Sequence, residues 1–430
     1  MSTETLLARL DAAQPVVARR DMYYRGKQPL RFLADKVDAS IMAFSSNLAR
    51  VAVNAVAERI RLEDATATVD GRDVTEQARA LLRDSDLPMT LQATLVDMLA
   101  VGSAYMIVWA DEFGRPVVTG ESAEQVAVER DPITRGVTAA IKRWQVTDAN
   151  GVLVEEHAVK YLPKEIVHLV RNEKRGQWTF AGSTPNPLGV VPVVPLINVE
   201  RIHDDTGASV VDDLAPLVDA LNKLVTDMLT TSEAVARPKR YATGVTLEDA
   251  VVGFDADAGF AADDEDQAPE ILEDDPGVES PFQDSDDMWI AEEAEAKFGQ
   301  LPGADMNGYK TGVDLVMQQI MAVTSLPAHL VGITTSNPAT AEALRASEVA
   351  LASNAASRIR VINRPMEWAV RLLVAVAEGV SPDRVQVRLS WADTTTRSVA
   401  QEADAAVKLH AEGIVDDEEA RQSVAAGEEL

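Results

Sequence analysis

The residues that could perform acid–base chemistry are few and scattered along this chain. Its five histidines show no spacing typical of a metal site or a catalytic pair: His157, His168, His203, His329 and His410. Only His203, followed by Asp204 and Asp205, forms a local cluster in which a carboxylate could orient a proton-transferring imidazole. The same three residues also suit an acidic segment that leads into a helix, and we favour that interpretation.

A run of carboxylates at Asp263, Asp264, Glu265 and Asp266 raises the hypothesis of a calcium site, because hard cations bind several carboxylate oxygens. The run lacks the alternating Asp-x-Asp-x-Asp-Gly spacing and the later bidentate glutamate of a calcium-binding loop. We therefore interpret it as a solvated acidic loop and expect no bound metal.

The common nucleotide-binding and hydrolytic motifs are absent from the sequence. Gly26 and Lys27 are followed by Gln28, so the hydroxyl residue that binds magnesium in a phosphate-binding loop is missing. A dinucleotide-binding glycine pattern, a serine-hydrolase elbow and a His-Glu-x-x-His zinc motif are also missing. We expect neither a cofactor nor an enzymatic activity.

The composition is that of a folded but strongly acidic protein. Of its 430 residues 46% are hydrophobic, and 40 Lys and Arg stand against 69 Asp and Glu, for a net charge of −29. Because DNA affinity comes largely from neutralising phosphates, this excludes a protein that binds DNA over its whole surface. The absence of cysteine excludes disulfides and thiolate sites and fits assembly in a reducing cytoplasm.

No segment is expected to cross a membrane. The longest nearly apolar run, residues 98–110, has about 13 residues and is shorter than the ~20 that a spanning helix needs. The N-terminus lacks the basic start and apolar stretch of a signal peptide.

The first part of the chain, to about residue 199, is predicted to mix helices and strands. Apolar residues three and four positions apart predict helices over residues 35–60 and 90–99. Short apolar or alternating runs predict strands at residues 104–110, 125–129, 137–144, 157–162 and 166–170. Residues 131–136 suit a hairpin turn, and the proline-rich residues 185–195 are predicted to lead out of this part.

The second part is predicted to be helical with one acidic interruption. A helix that packs along one partner is predicted by the apolar seam Leu214, Leu217, Leu221, Leu224 and Met228. After a stretch without Lys or Arg, helix resumes near residue 305 and stops at Leu326 and Pro327.

The longest predicted helix covers about residues 338–378, at ~1.5 Å per residue roughly 60 Å. Asn337 is its expected N-cap, with a proline at the first helical position. Pro365 lies inside it and is expected to bend it, because proline removes one backbone donor and crowds the preceding turn. A strand at residues 385–391 and two short helices complete the chain.

The order of these elements, together with several short motifs, resembles a known protein family. The resemblance is carried by residues 23–30 (Tyr-Tyr-Arg-Gly-Lys-Gln-Pro-Leu), 47–61, 214–228 (with Asp-Ala-Leu-Asn-Lys inside), 326–332 and 341–345 (Ala-Glu-Ala-Leu-Arg). By this order, more than by any single motif, the chain resembles the portal proteins of siphophages that infect Gram-positive bacteria.

The resemblance implies an α+β portal fold whose parts follow one another along the chain. They would be a wing of N-terminal helices and a β-rich part (1–205), a first stem helix (206–236), an acidic clip (237–303), a second stem helix (304–324), a tunnel loop (325–337), a long kinked wing helix with a strand (338–392) and a small helical crown (393–430).

The resemblance also implies a non-enzymatic function. The chain would form a ring of twelve subunits at the capsid vertex of the virion, assembled in the host cytoplasm. That ring would be the head–tail connector and a passive channel through which double-stranded DNA is packaged and ejected, without sequence-specific binding. Its other implied partners are the terminase, the head–tail adaptor, the scaffold and the major capsid protein.

The acidic charge fits such a channel, because every Lys or Arg contact to phosphate adds affinity and therefore drag on moving DNA. The tunnel loop would place small polar side chains at the narrowest point: Thr334, Thr335, Ser336 and Asn337.

Three other classes of protein remain open at this point. A generic helix-rich oligomer would show the same apolar stripes. A head-associated enzyme would need convergent catalytic groups, which the sequence lacks. A scaffolding or head-completion protein without channel function would be shorter or all-helical, whereas residues 102–199 are rich in predicted strands.

Overall fold

The structure is a computed structural model that describes most of the chain. The described residues are 2–29, 45–172, 176–202, 205–236, 240–243, 297–300, 306–333, 341–395, 407–408 and 410–411. The chain divides into a larger unit, made of Met1–Thr226 and Tyr309–Leu430, and a smaller unit, Asp227–Gly308. Helices and strands alternate irregularly, which confirms the predicted mixed α+β class.

Four helices form the N-terminal part: α1 (Thr3–Tyr24), α2 (Leu48–Ala57), α3 (Thr75–Asp84) and α4 (Leu87–Val101). The helix predicted at residues 90–99 is confirmed within α4. The helix predicted over residues 35–60 is wrong at residues 45–47, which are not helical. Its apolar periodicity continues in the sequence through these residues, but the chain enters α2 only at Leu48, and residues 30–44 lie outside the described residues.

Thirteen strands are described: β1 (Leu62–Val69), β2 (Arg72–Asp73), β3 (Ser103–Ala110), β4 (Pro116–Ser122), β5 (Val126–Arg130), β6 (Val137–Thr147), β7 (Leu153–Tyr161), β8 (Glu165–Arg171), β9 (Thr179–Pro185), β10 (Val193–Ile197), β11 (Arg240–Thr243), β12 (Lys297–Gln300) and β13 (Val385–Trp391). They pair in the orders β13-β1-β2, β10-β3-β4, β5-β6-β7-β8-β9 and β11-β12, always antiparallel among the described residues.

The strands predicted between residues 104 and 170 are confirmed, as is the hairpin turn between β5 and β6. In that turn the Asp131 side chain accepts hydrogen bonds from the backbone N–H groups of Ile133 at 2.9 Å and Thr134 at 2.7 Å. The prediction that residues 185–195 only lead out of this part is wrong, because they run into β10. Pro195 is tolerated there because β10 is an edge strand of its sheet.

The main core forms around α7 (Ala341–Glu378). Leu351, Ile362, Met366 and Leu373 are buried on its apolar stripe and pack with side chains of β3, β10 and β13. The predicted stripe is therefore confirmed from Leu351 onward. Its first predicted member, Leu344, is 37% exposed, so this face of the helix is not covered within the described part of the chain.

Helix α7 continues without interruption through Pro365. The proline removes the N–H group that would otherwise bond to the carbonyl of Val361, one turn earlier. A bend at this point remains a prediction.

Two further helices, α5 (Val210–Ala236) and α6 (Asn307–Thr324), lie where the two stem helices are expected. A short 3₁₀ helix, Ala328–Val331, follows α6 within the segment expected to be a loop. In the smaller unit β11 and β12 form a two-stranded antiparallel ribbon that pairs Arg240 with Gln300.

The contact between Asp64 and Arg79 leads to a prediction about pH. The Arg79 guanidinium donates to both carboxylate oxygens of Asp64, at 2.7 and 2.6 Å, and this pairing lowers the pKa of Asp64. An acid with a lowered folded-state pKa stabilises the protein above its ordinary pKa and loses that contribution as the pH falls.

We therefore expect Arg79→Gln to lower the free energy of unfolding by about 0.5–1 kcal/mol at pH 7, since the pair is partly exposed. The difference from wild type should shrink as the pH falls below about 4. Urea unfolding at pH 7, 5, 4 and 3 measures both quantities, with Arg83→Gln on the same helix as control. A difference that stays constant from pH 7 to pH 3 would contradict this assignment.

Candidate channel site

The helices α5 and α6 contribute to one small apolar core. On α5 the buried side chains of Val211, Leu214, Val218 and Leu221 follow the three- and four-residue spacing of a helix face. Ile320 of α6 belongs to the same cluster. The predicted seam on α5 is thereby confirmed for its buried members. Their burial stabilises α5, although acidic residues lie between the apolar positions of the helix.

The two helices approach each other closely near Gly312 of α6. A Cβ atom placed on Gly312 would lie 3.4 Å from Cδ1 of Leu224 on α5, a distance at the tight end of ordinary contact. A glycine at this position therefore allows α6 to pack directly against the leucine side chain of α5.

A buried tyrosine joins α1 to α5. Tyr23 is 2% exposed, and its hydroxyl donates to the two carboxylate oxygens of Asp219 on α5, at 2.8 and 2.9 Å. On the same helix Asn222 accepts a hydrogen bond from the backbone N–H of Ser46 at 2.9 Å. The Tyr-Tyr-Arg-Gly and Asp-Ala-Leu-Asn-Lys segments, far apart in the sequence, are thus in direct contact.

This contact predicts a difference between neighbouring tyrosines. Tyr23→Phe removes a hydrogen bond to a carboxylate in a buried position, and we expect the free energy of unfolding to fall by about 1.5–3 kcal/mol. Tyr24→Phe is the matched control, because the Tyr24 hydroxyl donates to the neutral Asn54 side chain at 3.1 Å and its loss should be smaller, about 1 kcal/mol. Chemical denaturation measures both, and equal losses would contradict the importance of the Asp219 contact.

The start of α5 lies where three other segments meet. Ser209 caps the helix, accepting from the backbone N–H of Val211 at 3.0 Å while its hydroxyl donates to the carbonyl of Ala100 at 2.5 Å. Asn198, just after β10, is bonded to the backbone of Ala208 and accepts from Arg358 of α7 at 2.6 Å. The end of α4, the end of β10 and the middle of α7 therefore together position the start of α5.

The backbones of two glycines approach each other closely at this junction. Gly102 and Gly207 have φ values of +102° and +82°. A Cβ atom on Gly207 would lie 1.9 Å from the carbonyl oxygen of Gly102, which no relaxation of a side chain could relieve. Both residues are therefore required to be glycine by conformation and by space.

The segment after α6 is anchored at its start. The hydroxyl of Thr324 donates to the carbonyl of Ile320 at 2.7 Å, Ser325 takes a left-handed conformation with φ of +59°, and Leu326 is buried in the core shared by α5 and α6. The predicted stop at Leu326 and Pro327 is confirmed, since α6 ends at Thr324.

Glu348 of α7 ties this segment to the rest of the larger unit. One of its carboxylate oxygens lies 3.1 Å from Nε2 of His329, and the other lies 3.1 Å from Nη2 of Arg59. The residues before position 334 and those after position 340 are thus linked through one side chain. Sequence reasoning missed this group, because a single glutamate in a helical pattern carries no signal that distinguishes it from a solvated one.

Most of the other candidate residues lie outside the described part of the chain. The tunnel-loop residues Thr334, Thr335, Ser336 and Asn337 lie outside the described residues, as do the acidic run at 263–266 and His203 with Asp204. Asp205 forms an ion pair with Arg135 at 2.5 Å, and His157 stacks on Trp144 with ring centroids 5.3 Å apart.

Within the described ranges no cluster of three or more His, Cys, Asp or Glu side chains could hold a metal ion. The helices in those ranges also include none that is long and apolar enough to cross a membrane.

Comparison with known families identifies this arrangement. The family model described as phage portal protein, SPP1 Gp6-like, matches residues 4–427, nearly the whole chain. The chain belongs to this portal family. The predicted membership in a portal family and the predicted fold class are thereby confirmed.

Two curated relatives of this family member are similar in sequence. The portal protein of Mycobacterium phage L5 is 28% identical over 316 residues, which cover 71% of this chain and 59% of the relative. The portal protein of Mycobacterium phage D29 is 29% identical over 329 residues, which cover 73% of this chain and 62% of the relative. The matched part of this chain thus spans about three fifths of the length of these relatives.

Among the solved structures to which the chain is similar are chains of gene transfer agent particles. A chain in the neck of an empty particle, computed with C6 symmetry, shares 14% identity at a TM-score of 0.48 and covers 96% of this portal chain and 93% of its own length. A chain in the neck of a native particle, computed with C12 symmetry, shares 16% identity at a TM-score of 0.45, with 95% and 98% covered.

Proposed function

We propose that this chain forms a closed ring of identical subunits, normally twelve, and that the ring is the head–tail connector of a tailed phage. Double-stranded DNA passes through its central channel during packaging and ejection, without sequence-specific contacts. The protein performs no catalysis itself. The observation that carries the proposal is the match of the portal family to residues 4–427.

The arrangement of α5, α6 and α7 supports a channel role. Helix α5 is held to the wing part by Tyr23 and by the junction at Ser209, while α6 packs on the same core as α5. Residues 334–340 follow directly from these anchored helices. A loop attached to rigid helices can be placed reproducibly at a narrow point of a channel, whereas a loop on mobile elements cannot.

The charge of the chain supports passive passage. A net charge of −29 repels the phosphate backbone and disfavours the Lys and Arg contacts that would slow DNA. The side chains assigned to the tunnel loop, Thr334, Thr335, Ser336 and Asn337, are small and uncharged. We assign the acidic run from Asp263 to Asp266 to the clip.

The remaining parts take the roles implied by the family. Residues 1–205 form the wing, 206–236 and 304–324 the stem, 237–303 the clip, 325–337 the tunnel loop, 338–392 the long wing helix with its strand, and 393–430 the crown. The ring lies at the capsid vertex, is assembled in the host cytoplasm, and meets the terminase, the adaptor, the scaffold and the major capsid protein.

Electron microscopy of the purified chain, combined with native mass spectrometry, tests the ring directly. We expect rings with a central hole and a mass of twelve subunits, or thirteen for rings assembled outside a virion. If neither the chain alone nor the chain with scaffold protein forms rings, the channel function is wrong. A helix-rich head-morphogenesis or scaffolding protein then becomes the better interpretation.

The addition of positive charge then tests the tunnel loop within assembled rings. Changing Thr334 and Thr335 to lysine should slow DNA packaging, because each added cation contributes phosphate affinity at the narrowest point. If rings of the lysine variant package DNA at the same rate as wild-type rings, the loop does not have the role assigned to it.

A further inference from the structure

A cleft of about 710 Å³ lies in the larger unit between the β5–β6 turn, β10 and α7. Four arginines line it, Arg130, Arg135, Arg364 and Arg371, against one glutamate, Glu367. On a chain whose acidic residues outnumber its basic ones by 69 to 40, four cations around one cleft form a local charge of opposite sign to the whole.

Two of these arginines lack partners for their buried nitrogens. The Nε atoms of Arg130 and Arg371 are buried and have no hydrogen-bond partner among the described residues. Burial lowers the pKa of Arg130. Buried guanidinium donors without an acceptor are costly, and an anion in the cleft would supply the missing acceptors.

Part of the wall of the cleft is apolar. Val191, Val193 and Val194 contribute to it, together with Pro365 and the ring of Trp368. A cleft built for DNA phosphates would present protruding cations to an extended polar surface. An apolar wall with arginines at its side instead suits a protein segment that carries a carboxylate beside aliphatic or aromatic groups.

Such a segment is exposed on the same unit, at the hairpin between β6 and β7. On one face of this hairpin Trp144 stacks on His157, and Nε2 of His157 lies 3.1 Å from a carboxylate oxygen of Glu155. Val146 is the cross-strand partner of Glu155. Val146 is 40% exposed and the Glu155 side chain 43%, so this face presents an apolar surface with a carboxylate on it.

The cleft and the hairpin lie at opposite ends of one strand. The β5–β6 turn precedes Val137, and the β6–β7 hairpin follows Thr147, so β6 separates them by roughly 33 Å at ~3.3 Å per residue. Hydrogen bonding to β5 and β7 keeps this strand rigid. A ring closed by head-to-tail contacts needs two different, complementary surfaces on each subunit.

We propose that the β6–β7 hairpin of one copy inserts into the arginine cleft of the next copy, with Glu155 facing the arginines. The contact deepens the proposed function and rests on it, because it is a contact between neighbours in the ring. It also explains why buried guanidinium nitrogens without a hydrogen-bond partner among the described residues persist at Arg130 and Arg371.

A charge-swap experiment on the full-length chain tests this contact. Arg364 is suited to it, because its side chain is exposed and has no partner in the described part of the chain. We expect Arg364→Glu and Glu155→Arg each to raise the subunit concentration at half-assembly by about tenfold or more, since like charges then face each other. The double variant should recover to within about threefold of wild type. Arg388→Glu, at an exposed residue of β13 that does not line the cleft, should assemble like wild type.

Sedimentation velocity and mass photometry of the five proteins measure assembly, and circular dichroism shows that each is folded. Single variants that form rings at the wild-type concentration would overturn the hairpin–cleft contact while leaving the ring intact. Single variants that assemble normally but bind duplex DNA more weakly in fluorescence anisotropy would show a phosphate site and overturn it as well. A wild-type chain that never forms rings would instead refute the proposed function.

Discussion

Replacing Gly207 by alanine should lower the free energy of unfolding by about 4 kcal/mol. Two causes add up at this position. The φ of +82° is unfavourable for any residue with a Cβ atom, and the Cβ would collide with the backbone carbonyl of Gly102. A strained backbone conformation and overpacking each cost about 1–3 kcal/mol. The cost of overpacking should lie near or above the upper end of this range, because the Cβ would collide with backbone atoms.

Gly189→Ala is the matched control for this substitution. Gly189 also has a positive φ, +70°, but no atom lies within 4 Å of the position its Cβ would take. Gly189→Ala should therefore lower the free energy of unfolding only by the cost of its unfavourable φ, about 1 kcal/mol. Thermal or urea unfolding of the two variants measures the difference, and equal effects would show that the close approach of Gly102 and Gly207 is absent in solution.

The effect should extend to assembly, because Gly207 precedes α5. The capping residue Ser209 and the hydrogen bonds of Asn198 to Ala208 hold the start of α5 against α4 and β10. A displaced backbone at Gly207 would release these contacts and tilt α5. We therefore expect Gly207→Ala to form fewer rings than Gly189→Ala at the same concentration, which electron microscopy can count.

Local elements of the fold were predictable from the sequence, because their signals lie within a few residues. The Asp-Pro-Ile-Thr-Arg-Gly turn predicts the β5–β6 hairpin, and a long continuous apolar stripe predicts α7. The strand at residues 385–391 was found to the residue as β13. In each case period and turn chemistry agree with the final packing.

Elements that depend on distant partners were missed. The residues of β1, Leu-Glu-Asp-Ala-Thr-Ala-Thr-Val, alternate only weakly, and the strand is stabilised by its pairing with β13 more than three hundred residues later in the chain. Likewise β10 contains a proline and is a strand because β3 offers it an edge. Tertiary context, rather than propensity, decides both.

The candidate site shows the same division. The seam of α5 and the end of α6 were predictable, because apolar spacing and proline act locally. The links among Glu348, His329 and Arg59, and the packing of Gly102 on Gly207, depend on geometry that no spacing in the sequence encodes. The contact of Tyr23 with Asp219 lies between these cases, since the motifs were recognised but their mutual contact was not.

A second large effect is expected at Glu156, on the strand β7 that leads out of the exposed hairpin. Glu156 is 2% exposed, and its carboxylate receives hydrogen bonds from Arg171 and from Gln145, the latter at 3.1 Å. Arg143 lies 3.9 Å away. Charges buried at this depth are stable only when they are paired, and removing one partner leaves the other in a low-dielectric environment.

Glu156→Gln should therefore lower the free energy of unfolding by about 3 kcal/mol, at the lower end of the range for a broken buried ion pair. The lower end applies because Arg171 keeps its contact with the ring of Trp178, 4.6 Å from the centroid. Glu155→Gln is the control, one residue away on the opposite, exposed face, and should change stability by less than about 0.5 kcal/mol. Urea unfolding of both variants measures the two values.

The two neighbouring glutamates should then separate folding from assembly. Because successive residues of a strand point to opposite faces, Glu156 stabilises the five-stranded sheet while Glu155 is free to meet another copy. We expect Glu156→Gln to lose stability in the monomer at any concentration, and Glu155→Arg to lose ring formation with the monomer's unfolding midpoint unchanged. If both substitutions affected only monomer stability, the hairpin would have no role beyond the sheet, and the ring would have to close through other surfaces.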